Sequence, residues 1–293
     1  MILLSKTLPS NHDIILAGDF HRGSLLCFDE GLNQLRDQVL SSSNTYLMIG
    51  GDLAEGILID DKRFNWEVDK GESALKQYQW VRDYLKPIVK AGKIISCNFG
   101  NHDWKLSRFG NYVRDLVCSD LDQEFGLGSC PYGTFSCKVS ISDEWGKLYK
   151  IFYTHGSRSI NSISPDPIRK LANMKFILKR HLQDAHGDCL VMAKAHSHKL
   201  LITEPETSLY LWDDGKRIKS SYTGASNHQN YIPVDIRWYI NSGSFYRLYA
   251  DTEEDGPVSS YAEMAEYAPN ELGYVVIECR EGKVSNVRKV VVG

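Results

Sequence analysis

Short apolar segments alternate with longer amphipathic ones in the first part of the chain. Segments 13–18, 45–51 and 93–100 have the length and composition of buried strands, and segments 28–42 and 72–92 between them have helical periodicity. Strands that are separated by helices form βαβ units. The sequence therefore predicts a parallel sheet covered by helices, and an α/β fold.

The middle of the chain continues with both kinds of element. The pattern predicts an antiparallel pair of strands at 134–141 and 147–156, a helix at 164–187 and a further buried strand at 188–198. This change from parallel to antiparallel pairing predicts mixed sheets.

From residue 199 onward the pattern is mostly β. It predicts a β-hairpin insertion at 204–235 around an Asp-Gly turn, a mobile acidic segment at 251–271 and a closing hairpin across the Glu-Gly-Lys turn at 281–283. No composition shift marks a domain boundary, so we interpret residues 1–293 as a single domain.

The composition is that of an ordinary globular protein, with 42% hydrophobic and 24% charged residues. The net charge of −3 disfavours a general nucleic-acid or membrane-surface binder. The seven cysteines contain no Cys-x-x-Cys pair, which indicates reduced thiols. We find neither a signal peptide nor an apolar stretch long enough for a membrane span, and we expect a cytoplasmic protein with no membrane partner.

Polar side chains follow the predicted strands in five short clusters. These are Asp19 and His21; Asp52 and Glu55; Asn101, His102 and Asp103; His155; and His196 and His198. Five of the nine histidines lie in these clusters. Each cluster alone is weak evidence for a functional site, since a histidine in a loop often only makes hydrogen bonds. Their repeated position after strands predicts a common crevice at one edge of the sheet.

Carboxylate, imidazole and amide oxygen together suit borderline divalent ions, Mn²⁺ before Fe²⁺ or Zn²⁺. Seven candidate donors exceed what one site with an open position can use. Two metal ions that share one carboxylate account for the number, and such a pair activates a water for in-line displacement at phosphorus.

The motifs GDFH, GDLAEG, GNHD, YTHG and AHSH resemble the five-motif pattern of the calcineurin-like metallophosphoesterase superfamily. NSGSF at 241–245 resembles the Asn-x-Gly-Ser element that follows the last histidines in that family. The resemblance implies a four-layer α/β/β/α sandwich and a metal-dependent phosphoester hydrolase, in which a metal-bridging hydroxide attacks phosphorus. Ala195 departs from the family, which usually has glycine there.

The resemblance also implies roles for individual residues. One metal ion is held by Asp19, His21, Asp52 and His198, and the other by Asp52, Asn101, His155 and His196. His102 then acts on the substrate as general acid or electrostatic stabiliser. Glu55, in a position where the family usually has Asp, orients His102, and Asp103 holds the loop.

The substrate class is less constrained. Gly56 stands where protein Ser/Thr phosphatases carry arginine, and GNHD replaces their GNHE. The motifs are more similar to SbcD-type exonucleases and small phosphodiesterases, which favours a phosphodiesterase or nuclease acting on DNA or nucleotides. A phosphomonoesterase is the alternative, and a catalytically inactive binding module is a further one. The oligomeric state is not predicted.

Several basic and aromatic residues have two interpretations each. Arg22 and Arg158 either neutralise a substrate phosphate or are surface arginines. The basic residues of 169–199 form either a phosphate-backbone track or a solvated helix face. The aromatics of 220–240, with Arg237 among them, either stack on bases or pack locally.

Overall fold

A computed structural model of the chain describes residues 1–61, 64–224, 230–251, 253 and 255–293. Two six-stranded β-sheets pack face to face, and helices cover their outer faces. The chain thus has the four-layer α/β/β/α sandwich that the resemblance implied. None of the helices in these ranges is long and apolar enough to cross a membrane.

The first sheet contains the predicted βαβ units. Numbered along the chain, its strands in spatial order are β14 (Lys283–Val291), β13 (Gly273–Arg280), β2 (His12–Ala17), β3 (Thr45–Ile49), β4 (Ile94–Asn98) and β5 (Tyr132–Thr134). β2 to β5 pair in parallel, whereas β13 and β14 are antiparallel additions. The predicted closing hairpin is therefore confirmed.

The second sheet is mixed. Its strands in spatial order are β1 (Ile2–Thr7), β6 (Ser136–Asp143), β7 (Gly146–Thr154), β8 (Val191–Lys194), β12 (Trp238–Ser242) and β9 (Leu200–Thr203). The antiparallel β6–β7 pair and β8 confirm the prediction. The sequence analysis missed β1, an edge strand that pairs in parallel with β6 and alternates between half-buried and exposed residues.

The helices lie on the two outer faces. They are α1 (Asp29–Ser41), α2 (Ala74–Lys90), α3 (Asn101–Lys105), α4 (Ser119–Phe125), α5 (Pro167–Leu182) and α6 (Tyr261–Met264), with a π-helix at Val113–Cys118 and 3₁₀ turns at Trp66–Val68, Leu106–Phe109 and Val234–Ile236. The Ser73 side chain caps α2, and the Asp166 side chain caps α5, which begins with proline. The sequence analysis missed α3, α4 and the π-helix, because residues 101–131 lack a long apolar period.

The space between the sheets is filled by aliphatic side chains. Ile14, Leu16 and Met48 of the first sheet pack with Ile151 and Val191 of the second. Each is completely buried, and burial of one such side chain stabilises the fold by about 1.5–3 kcal/mol. This core fixes where the strands of both sheets end.

The two segments with special predictions are only partly described. β10 (Leu209–Asp213) and β11 (Ile218–Tyr222) form a separate antiparallel hairpin inside the predicted insertion, of which residues 225–229 lie outside the described ranges. The acidic segment contains α6, and Ser259 N donates to the Glu67 carboxylate (2.9 Å). Its mobility stays a prediction.

Arg237 is completely buried and ties the loop before β12 to the end of α5. Its guanidinium donates to the backbone carbonyls of Ile232, Gln183 and His186, and it lies over the Tyr231 ring at 5.2 Å. The local-packing interpretation is therefore right for Arg237, which has no face left for a base. His228, in the same segment, lies outside the described residues.

We predict that Arg237→Ala lowers the free energy of unfolding by about 2–4 kcal/mol, since several buried carbonyls lose a charged donor. Urea denaturation followed by circular dichroism measures the effect. Arg217→Ala, at an exposed position in the β10–β11 turn, is the control and should change stability by less than about 0.5 kcal/mol. Equal unfolding midpoints for the two variants would contradict this role of Arg237.

Candidate metal centre

The predicted ligands meet where strands of the two sheets end. Asp19, Asp52 and Asn101 follow β2, β3 and β4 of the first sheet. His155 follows β7 of the second sheet, and His196 and His198 follow β8. Ligand atoms lie within 4.8 Å of one another in a first group of Asp19, His21 and His198 and in a second group of Asp52, His155 and His196. A third group, of His21, Asp52 and His102, overlaps both.

In the first group, two imidazole nitrogens and a carboxylate oxygen converge. His21 Nδ1 is 2.7 Å from the Glu55 carboxylate, which can only accept, so this nitrogen carries the proton. His21 Nε2 lies 3.2 Å from His198 Nε2 and would present a lone pair there in a neutral ring. Asp19 Oδ1, 3.8 Å from His198 Nε2, is buried and has no hydrogen-bond partner among the described residues.

The second group has the same character. His155 Nδ1 donates to the Gly50 carbonyl (2.8 Å), and its Nε2 faces two oxygen atoms. These are Asn101 Oδ1 at 2.9 Å and Asp52 Oδ2 at 3.2 Å. Asp52 Oδ2 also lies 4.0 Å from His21 Nε2, which puts this carboxylate between the two groups.

The electrostatics favour positive charge at both groups. Burial alone would lower the pKa of His21 and His155, yet nearby carboxylates, Glu55 for His21 and Asp52 for His155, raise both to about 9. Burial raises the pKa of Asp19 to about 7. Protonated rings supply such positive charge, and a bound cation that displaces their protons would do the same. This mixed O and N donor set fits borderline divalent ions.

The backbone at the cluster is strained. Eight non-glycine residues in the described ranges have positive φ, and five of them are predicted metal ligands: Asp19, His21, Asp52, His196 and His198. A left-handed backbone is unfavourable for residues with a Cβ and persists only where the surroundings impose it. The structure thus holds the backbone of these five residues in a conformation that is locally unfavourable.

Asp103 holds the GNHD loop, as the sequence predicted. Its carboxylate accepts from the backbone N–H groups of Gly100 (2.7 Å) and Asp52 (2.9 Å) and from the Tyr78 hydroxyl (2.5 Å). A Cβ on Gly100 would lie 2.1 Å from Asp52 Oδ1. The glycine is therefore required for the close approach of this loop to Asp52.

The Glu55 carboxylate has a different partner from the predicted one. It was expected to orient His102, but its oxygen is 3.8 Å from His102 Nδ1 and 2.7 Å from His21 Nδ1. His102 Nδ1 instead donates to the Glu55 backbone carbonyl (2.6 Å), and the His102 backbone N–H donates to Asp52 Oδ1 (2.8 Å). Glu55 orients both rings, one through its side chain and the other through its main chain.

Residues of the NSGSF segment form hydrogen bonds with the loops that carry the predicted ligands. The Ser244 hydroxyl donates to the Asp19 carbonyl (3.1 Å), and the Asn241 amide donates to the Ala195 carbonyl (3.1 Å). Ala195 is accommodated because Gly50 faces it: a Cβ on Gly50 would lie 3.0 Å from the Ala195 methyl. The departure from the family at this position is thus matched by local space.

The structure does not support Arg22 as a substrate ligand. Its guanidinium is bound by Asp29 (3.1 Å) and Glu72 (2.6 Å) and lies over the Trp80 ring. Arg158 is exposed, and its role in substrate binding stays a prediction.

The basic track of 169–199 is broken up. Lys175 and Lys179 pair with acidic residues, Glu204 and Asp235 respectively. Lys194 is buried and donates to a backbone carbonyl. These three lysines therefore do not present a free basic stripe to a ligand.

A cavity of about 960 Å³ opens over the cluster. His21, Asp52, Asn101, His102, His196 and His198 line its floor. Tyr246 lies in the wall of the cavity, and its ring centroid is 4.8 Å from that of His21. The sequence pattern did not indicate Tyr246, although this residue directly follows the NSGSF segment. It also missed Tyr261 and Tyr267 farther out, where no motif marks them.

A family model described as calcineurin-like phosphoesterase matches residues 11–246 of the chain. The match includes every predicted metal ligand and extends through Tyr246. A search of curated proteins found no match.

We predict that Asp52→Asn weakens Mn²⁺ binding at both groups by at least about 100-fold, because this carboxylate lies between them. The asparagine oxygen can still accept from the His102 N–H, so the fold should persist. Calorimetric titration of chelator-treated protein measures the affinity. Asp37→Asn, on the exposed side of α1, is the control and should bind as the wild type does. Unchanged affinity in Asp52→Asn would rule out the bridging position.

Proposed function

Because the chain belongs to the calcineurin-like phosphoesterase family, and is therefore a metal-dependent phosphoester hydrolase, we propose that it cleaves phosphodiesters of nucleotides or nucleic acid. The observation that carries this proposal is the large, partly apolar cavity above the groups of ligand atoms.

The proposed ligands are the seven that the sequence predicted. Asp19, His21, Asp52 and His198 hold one divalent ion, and Asp52, Asn101, His155 and His196 hold the other. Mn²⁺ is the proposed ion, with Fe²⁺ or Zn²⁺ as alternatives. When bound, such a pair neutralises phosphoryl oxygens and lowers the pKa of water.

His102 is the proposed general acid. The Glu55 carbonyl and the Asp52 carboxylate fix its ring and its backbone, and His102 lines the cavity floor beside Asp52. With Nδ1 committed to the carbonyl, Nε2 is the atom that can deliver a proton to the leaving oxygen. A protonated ring would also stabilise negative charge on the phosphoryl group.

The cavity dimensions favour a diester over a small monoester. A volume of about 960 Å³ far exceeds one phosphate group and leaves space for substituents on both ester oxygens. Tyr246, Tyr261 and Tyr267 provide aromatic surface on which bases can stack, and Lys170 and Lys199 provide positive charge.

The positively charged side chains at the cavity also favour a diester substrate. The described residues that line it include two lysines and no arginine, and Arg22 is bound elsewhere. A monoester dianion is commonly held by a bidentate arginine, whereas a diester monoanion needs less charge. A phosphomonoesterase is therefore the second candidate.

We predict that His102→Ala lowers kcat by about 10²–10⁴-fold while two metal ions remain bound. The expected loss is that of one proton donor, since His102 is not among the proposed ligands. Steady-state kinetics and elemental analysis measure the two quantities. His186→Ala, which removes a half-buried histidine outside the cavity, is the matched control. Loss of metal together with activity would show that His102 is a ligand.

A substrate panel with added Mn²⁺ tests the diester preference. We expect kcat/KM for bis-p-nitrophenyl phosphate to exceed that for p-nitrophenyl phosphate by at least about tenfold. Single-stranded DNA, double-stranded DNA and cyclic nucleotides in the same panel separate nuclease from nucleotide phosphodiesterase activity. Faster cleavage of the monoester would favour the second candidate.

A further inference from the structure

Three cysteine thiols meet in the core on the helix side of the first sheet. Cys97 lies on β4, Cys118 ends the π-helix, and Cys130 precedes β5. Each is at most 3% exposed, and their sulfur atoms all lie within 4.8 Å of one another. All three are free thiols, so they are available as ligands.

This arrangement differs from that of the other four cysteines. A single buried cysteine behaves as a small hydrophobic residue and needs no further explanation. Cys27, Cys137, Cys189 and Cys279 are buried in that way, and none of them belongs to a group of ligand atoms within the described ranges. The three sulfurs of Cys97, Cys118 and Cys130 place soft donor atoms at one point.

The spacing fits metal coordination. A tetrahedral site with metal–sulfur bonds of about 2.3 Å has neighbouring sulfurs about 3.8 Å apart. Cys118 Sγ and Cys130 Sγ are 3.7 Å apart. The same distance is far longer than the roughly 2.05 Å of a disulfide bond.

The three thiols do not hold their protons equally. Hydrogen bonding with Cys118 lowers the pKa of Cys97, but hydrogen bonding with Cys130 and burial together raise it well above its ordinary value. Sulfur–sulfur hydrogen bonding with Cys118 and Cys97 lowers the pKa of Cys130 to about 5. The same contacts, with burial, raise the pKa of Cys118 well above its ordinary value. A divalent cation that replaces the shared protons would leave three thiolates with one common partner.

A surface recess borders the cluster. This recess of about 350 Å³ is lined by Cys118, Cys130, Asp122 and Tyr132. Asp122 Oδ1 accepts from the Cys130 backbone N–H (2.8 Å) and so fixes the loop that carries this thiol. The recess therefore borders Cys118 and Cys130, whereas Cys97 is not part of its lining.

We propose that Cys97, Cys118 and Cys130 form a separate site for one thiophilic divalent cation of the Zn²⁺ class, with water from the recess completing its coordination. Thiolates select such ions over Mn²⁺, which the oxygen and nitrogen donors of the other centre accept. The ion would tie β4, whose loop carries Asn101 and His102, to the π-helix and β5.

Cd²⁺ is the probe, because cadmium–thiolate bonds have a charge-transfer absorption in the ultraviolet that oxygen and nitrogen ligands do not produce. The full chain is treated with chelator and reductant, saturated with Mn²⁺ and titrated with Cd²⁺. We expect the absorption to saturate at about one ion per chain and the melting temperature to rise. Reduced, folded wild type that shows no such absorption would overturn the proposal without any variant.

The variants locate the site. Cys97→Ser, Cys118→Ser and Cys130→Ser should each abolish or strongly weaken the absorption, and Cys279→Ser, a buried thiol elsewhere, should keep it. An absorption that survives in Cys118→Ser and Cys130→Ser would place the ion elsewhere and overturn the proposal. Since no phosphoester is involved, the result is independent of the substrate assignment.

Discussion

The Asp52 carboxylate, buried between two sets of imidazole nitrogens, is the contact on which the rest of the centre depends. One oxygen accepts the His102 N–H, and the other faces His155 and, at a longer distance, His21. In a low-dielectric interior this arrangement is costly unless positive charge is added. A pair of divalent ions meets that requirement, and the family of phosphoester hydrolases to which the chain belongs uses such a pair.

The second requirement is rigidity, and it is met by groups that never face the cavity. Asp103 binds two backbone amides and Tyr78. Asn241 at the end of β12 and Ser244 just after it bind the loops of Ala195 and Asp19. Left-handed backbone at five candidate ligands costs roughly 1–3 kcal/mol each. The aliphatic core between the sheets stabilises the fold enough to offset this strain.

Local signals in the sequence predicted the α/β fold and the candidate residues of the site, whereas the family resemblance implied the four layers and the ligand roles. Apolar strands that end in polar residues identify Asp19, Asp52 and Asn101 without reference to their neighbours. Contacts between distant segments have no such signal. The hydrogen bond of Glu55 to His21, the pairing of Arg22 with Asp29 and Glu72, and the meeting of Cys97 with Cys118 and Cys130 depend on how the chain folds back on itself. The edge strand β1 was missed because only half of its residues face the protein.

The origin of the donors in both sheets has a consequence for how the chain folds. Asp19, Asp52 and Asn101 belong to one half of the sandwich, and His155, His196 and His198 to the other. An ion held by His21 and His198 would be a reversible cross-link over 177 residues of sequence separation. The unfolded chain cannot bind that ion with comparable affinity, so binding and assembly of the halves become one cooperative event. The ion would then hold the two halves of the sandwich together in addition to its part in the reaction.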